Sequence, residues 1–296
     1  MASKTFLDIG ALGLYTETPL HCGSEGGTGY VDLPIQRERH TRYPVIPGST
    51  IKGVLRDELK KELGTPATDA IFGTEDAKGP GSVSFGDGIL AAFPVRSSDA
   101  PFHWVTCPFV LERVFRLLGK TVNPPGRPDP RKAWAREKGS VLLEELRVEK
   151  VAEPGFFSNK GESGLQVLLG LLPDEGRGFG YTRELFRDRL LILSDDDFKE
   201  LAETATEVVT RIKLNALGTT RTIPKEDAED MSDFDRQGNL FVQEVLPPEA
   251  LFVSALRGTE QWTGKIQGSI DGHPVLRLGG DETIGRGVTH VTFVFR

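Results

Sequence analysis

The chain has 296 residues, with 36 Lys and Arg against 43 Asp and Glu, for a formal net charge of −7. Apolar residues make up 38% and charged residues 27%, an ordinary globular balance, and no run approaches the ~18 apolar residues of a membrane span. Net acidity argues against a uniform nucleic-acid coat but allows one basic groove. The two cysteines, Cys22 and Cys107, form no spaced cluster, which speaks against a zinc finger or disulfide framework and for a reducing cytoplasm.

Taken in order, Thr5–Thr18 alternates as a first strand rather than a signal peptide. Glycines from Gly23 to Gly29 exclude a regular element and predict an exposed loop. Between Gly29 and Arg56 the cations Arg37, Arg39, Arg42, Lys52 and Arg56 outnumber Asp32 and Glu38, against the background charge. Ser49 is expected to cap a helix whose apolar face carries Ile51, Val54, Leu55, Leu59 and Leu63. Lys52 and Arg56 then share the outward face, the helix start offers amides to a phosphate, and Gly64 ends the helix.

Ser82–Val95 and Phe102–Cys107 read as paired strands, and Pro108 opens a second helix. Residues 121–138, rich in proline and basic side chains, read as an insertion loop and a second surface for RNA. Leu142–Val151 suggests a strand, and 155–180 carries no clear periodicity. Asp195–Asp197 opens a helix predicted to continue through Phe198, Leu201, Ala202, Ala205, Val208, Val209 and Ile212. The polar stretch 215–239, between Arg211–Leu214 and Leu240–Pro247, reads as a protruding β-hairpin. Leu251–Leu256, Pro274–Leu278 and Val288–Phe295 complete the strands, so the whole chain reads as one α+β domain.

The common enzyme signatures are missing: no Walker loop, no G-x-S-x-G elbow and no H-E-x-x-H occur, and the five histidines are scattered. What remains is the basic loop and helix together with GGDETIGRG at 279–287. There, unobstructed backbone amides and Arg286 suit a phosphate. The same residues also suit a sharp turn with Arg286 paired to Asp281 or Glu282. Together with Lys52 and Arg56 they favour RNA-backbone binding.

LHCG at 20–23, VDLPIQRERHTRYPVIPGSTIKGVLR at 31–56, IFG at 71–73, GSVSFGDGIL at 81–90, FPVRS at 93–97, WVTCPFVLER at 104–113, LSDDDF at 193–198 and GGDETIGRG at 279–287 occur in order across nearly the whole chain. They resemble the repeated backbone subunit of the Cmr complex, the type III-B CRISPR effector, within the RAMP superfamily. The resemblance implies a ferredoxin-like (RRM-type) core with large insertions, including a β-hairpin thumb that 215–239 would form. It also implies copies arranged head to tail along a CRISPR RNA beside other Cmr subunits, cutting paired single-stranded target RNA at regular intervals.

By the same resemblance Asp32 is the cleavage aspartate and a ligand for Mg²⁺ or Mn²⁺, and His21 lies on the same side of the site. In that family an acidic pair and an aromatic precede an LPPE-like turn, where this chain has Gln243-Glu244-Val245, so Glu244 is the third catalytic candidate. Arg37, Arg39, His40, Ser49, Lys52, Arg56 and Arg286 are the RNA-binding set. A non-catalytic RNA scaffold and a metabolic enzyme with a phosphate loop are the alternatives.

Overall fold

The computed structural model describes residues 7–24, 29–76, 78–158, 162–227, 232 and 238–295. Its centre is four strands: β1 (Leu7–Thr16), β4 (Gly88–Arg96), β12 (Leu251–Gly258) and β14 (Val288–Phe295). They lie in the order β14-β1-β12-β4, and every adjacent pair is antiparallel. Two helices, α1 (Gly48–Phe72) and α6 (Glu260–Gly272), make the crossovers β1-α1-β4 and β12-α6-β14. This is the expected ferredoxin-like arrangement. Ala11, Leu12, Leu14, Phe252, Val253, Ile51, Leu55 and Ile266 are buried in its core.

Everything from Ser97 to Ala250 is inserted between the two central hairpin strands. Part of it, β5 (Phe102–Thr106), β6 (Lys132–Ala135), β7 (Gly139–Leu143), β8 (Leu146–Ala152) and β9 (Leu190–Leu193), extends the sheet in the order β5-β9-β6-β8-β7, with β5 beside β4 and β9 parallel to β5. The rest includes a separate two-stranded ladder, β10 (Glu207–Lys213) with β11 (Asn239–Val245). These strands flank the segment read as a hairpin, of which residues 228–231 and 233–237 lie outside the described residues. One face of the ladder exposes Val208, Ile212 and Leu240.

Several local expectations change in the structure. Ser49 does not cap α1: the helix begins at Gly48, whose amide donates to Asp87 Oδ1 at 2.7 Å. A carboxylate from a distant turn thus satisfies the first of the amides at this helix start. Gly64 does break the helix, at φ 73 and ψ 169, but a second segment resumes through Pro66 to Phe72. Proline is tolerated there because it occupies the first turn of the resumed segment.

The helix opened by the aspartates, α5 (Asp195–Thr204), is capped by Ser194 and stops well before Ile212. Val208, Val209 and Ile212 belong instead to β10, where β-branched side chains meet a partner strand. The 121–138 segment is no free loop. Its end forms β6 (Lys132–Ala135), inside the sheet between β9 and β8 (Leu146–Ala152). Its cations are also engaged at home: Arg127 pairs with Asp196, Lys132 with Asp129 and Arg136 with Asp188. Leu142–Val151 is a hairpin of β7 (Gly139–Leu143) and β8, turning through Glu144 at φ 49.

Candidate active site at the base of the hairpin ladder

Strand β11 has β10 on one side and offers its other edge to the Asp32 loop. Pro34 biases Leu33 toward an extended backbone, which suits pairing with that edge. The amides of Asp32 and Leu33 donate to Val242 O at 3.0 and 3.1 Å, and the Glu244 amide donates to Leu33 O at 3.0 Å. The Val242 amide in turn donates to Asp32 Oδ2 at 2.8 Å. Asp32 is exposed, and Oδ1 has no hydrogen-bond partner among the described residues. The carboxylate is therefore pinned by one oxygen to the ladder and presents the other.

His21 reaches the same strand from the opposite direction. Leu20 and Leu246 exchange backbone hydrogen bonds at 3.0 and 2.8 Å, which brings His21 Nδ1 to 2.8 Å from Glu244 O. A carbonyl only accepts, so Nδ1 carries a proton, and in the neutral form of the ring Nε2 would keep its lone pair. A Cβ on Gly23 would lie 2.8 Å from Nε2; glycine keeps that approach open. Asp32 and His21 are thus anchored two residues apart on one strand, about 7 Å along it.

Glu244 and Arg37 play other parts than their sequence suggested. Glu244 is buried, and its carboxylate accepts from Arg37 Nη2 at 2.7 Å, Thr206 Oγ1 at 2.7 Å and the Ile35 amide at 3.1 Å. Burial alone would raise its pKa, but the bonds from Arg37, Thr206 and Ile35 outweigh it and hold the carboxyl below the usual range. Arg37, with 7% of its side chain exposed, also donates to Ala202 O and Glu203 O at the end of α5 and to Arg42 O. Both side chains are engaged within the chain, where Glu244 anchors Arg37, Thr206 and the backbone at Ile35.

The other cations divide similarly. Arg56 donates to Gly73 O and Asp69 Oδ1, each at 2.8 Å, and ties down the far end of α1. Arg286 takes the paired alternative, with Nη1 2.7 Å from Gln243 Oε1 and 3.3 Å from Asp281 Oδ2. Lys52 is half-buried and has no ion pair among the described residues, Arg39 is exposed, and His40 is exposed with Nε2 4.0 Å from Glu38 Oε2. Ser49 is exposed in the first turn of α1. Arg39, His40, Ser49 and Lys52 are the members of the set left open to a ligand.

Among the described residues no three His, Cys, Asp or Glu side chains converge. Among the described residues, Asp32 is the exposed carboxylate at this site that would hold a divalent cation. Mg²⁺ tolerates a single carboxylate. Sequence reading missed the parts played by Gln243, Arg211, Thr206 and Asp87, each of which acts through a partner far away in the chain. Among the described residues, no helix is long and apolar enough to cross a membrane.

Comparison with known proteins places this geometry. The RAMP superfamily model matches residues 14–290. Over 305 residues, covering 95% of this chain and 94% of the relative, the chain is 34% identical to the CRISPR system Cmr endoribonuclease Cmr4 of Pyrococcus furiosus. The crystal structure of oligomeric Cmr4 from that organism superposes with a TM-score of 0.66 at 28% identity, covering 97% of this chain and 98% of that one. A cryo-EM structure of the type III-B Cmr-beta bound to cognate target RNA shares the fold, with a TM-score of 0.69 at 22% identity over 97% and 98% of the chains. A match over almost the full length, in sequence and in fold, means that this chain belongs to the RAMP superfamily and, within it, to the Cmr4 family of Cmr-complex subunits.

Proposed function

We propose that this chain is the target-cleaving endoribonuclease subunit of an RNA-guided Cmr complex, with copies running head to tail along a CRISPR RNA. The observation that supports it best is the exposed Asp32 carboxylate, hydrogen-bonded to the base of a projecting ladder.

In an A-form duplex the ribose 2′-OH is not in line with the scissile bond. A ribbon with Val208, Ile212 and Leu240 exposed on one face suits wedging between bases, as apolar side chains do in kinked nucleic acids. Displacing a nucleotide in this way frees its sugar to turn. The 2′-oxygen then attacks the adjacent phosphorus, giving its proton up to solvent past the acceptors beside it, and the bond to the 5′-oxygen breaks, that oxygen taking a proton from water. The products are a 2′,3′-cyclic phosphate and a 5′-OH. Asp32 Oδ1 accepts a hydrogen bond from the 2′-OH and orients it, and His21 Nε2 offers a second acceptor from the same strand. A bound divalent cation would supply charge stabilisation at the phosphate.

The test is reconstitution with guide RNA and a labelled complementary target. Regularly spaced cuts bearing cyclic-phosphate ends are expected, and they should stop in EDTA. Target binding with no cutting would make the chain a scaffold, and undiminished cutting in EDTA would discard the cation. In the same assembly Lys52→Ala should weaken guide binding equally for all guide sequences and flatten its salt dependence by about one unit of slope. A loss confined to particular bases would take Lys52 off the backbone.

A further inference from the structure

Gln243 is buried in the middle of β11, between the residue that holds Asp32 and the residue that holds His21. Its amide closes a ring of four side chains. Oε1 accepts from Arg211 Nη1 at 2.9 Å and from Arg286 Nη1 at 2.7 Å, while Nε2 donates to Asp281 Oδ2 at 2.7 Å. Arg211 Nη1 lies 2.6 Å from Asp281 Oδ1, and Arg286 Nη1 lies 3.3 Å from Oδ2. Two members of the ring sit on the ladder and two on the glycine-rich terminal loop. The backbone continues the link, since the Gly280 amide donates to His21 O at 2.9 Å.

An amide is the one group that closes this ring without a titrating proton. It accepts from two guanidiniums on one side and donates to a carboxylate on the other. A glutamate at 243 would keep the two acceptor contacts but would set a second carboxylate against Asp281.

We propose that Gln243 is a positioning residue for RNA cleavage: its ring with Arg211, Asp281 and Arg286 sets the Val242 anchor of Asp32 relative to the terminal loop. The inference rests on the nuclease reading given above. Cleavage geometry is sensitive to such registration, because a shift of about 1 Å at the reacting atoms costs about 100-fold in rate.

The test is a charge swap in the assembled, guide-loaded complex. Gln243→Glu opposes two carboxylates. Adding Asp281→Asn restores donor and acceptor complementarity and the net charge of the ring. Asparagine also suits the left-handed backbone at 281, where φ is 67. Gln243→Glu is expected to slow single-turnover cleavage at least about tenfold with target affinity unchanged, and the double variant to recover most of that loss.

Wild-type rates from Gln243→Glu, or an impaired double variant that no longer responds to the swap, overturn the proposal. Should Gln243→Glu fail to assemble, the double variant decides alone: recovered cleavage supports the ring, and absent cleavage ends it. A wild-type complex that binds target without cutting would instead mean that the nuclease reading has failed.

Discussion

Asp32→Asn in the assembled complex is expected to reduce target cleavage by at least about 100-fold, the scale of a positioned group that handles a reacting proton, while guide and target binding stay unchanged. Asparagine is the informative replacement because its side-chain oxygen can still accept from the Val242 amide, which Asp32 Oδ2 does at 2.8 Å. The loop therefore stays docked and only the charge is lost. Quantifying cleavage and binding on one preparation separates the effects. Cleavage within a few-fold of wild type would remove Asp32 from the chemistry, and a parallel fall in binding would make it a contact residue.

Glu244→Ala should produce the largest loss of stability. It leaves the Arg37 guanidinium buried and unpaired, and breaking one partner of a buried pair costs about 3–5 kcal/mol. Calorimetry should show a fall in melting temperature of roughly 5–15 °C. Replacing both Arg37 and Glu244 with Met should cost less than either single change, because no stranded charge remains.

The same pair predicts an acid response. The folded pKa of Glu244 is lowered from an ordinary value of about 4.3, so its contribution is complete above that value. It disappears as pH falls through the lower, folded value. Acid titration of Glu244→Gln should therefore show a shallower stability loss below about pH 4 than wild type. An identical acid profile would mean that the carboxylate is not the anchor that the distances describe.

Legibility in the sequence followed the range of each interaction. The first and last strands, the β4–β5 pair and the apolar face of α1 were readable because their periodicities are local properties of the chain. The end of α5 was not. Val208, Val209 and Ile212 continue a helical spacing from Phe198, and only the presence of β11, some thirty residues later, makes them a strand. Helix α6 has weak amphipathic contrast and gave no clear signal, although it supplies one of the two crossovers that define the core. Residues 121–138 show the same limit: proline content suggested a loop, but Lys132–Ala135 found an open place between β9 and β8.

By itself the sequence determined the α+β class, the order of the matching blocks and the exposed, proline-restricted setting of Asp32. Local backbone preference and motif spacing are enough for these. Tertiary structure decided which charges remain available. Arg37, Arg56 and Arg286 look alike in sequence to Lys52 and Arg39, yet the first three are engaged by Glu244, Asp69 and Asp281. An ion pair is set by distance after folding, and one of these partners, Glu244, lies far away in the chain. The assignment of each cation to fold or to ligand therefore exists only once the sheet, α5 and the ladder have come together.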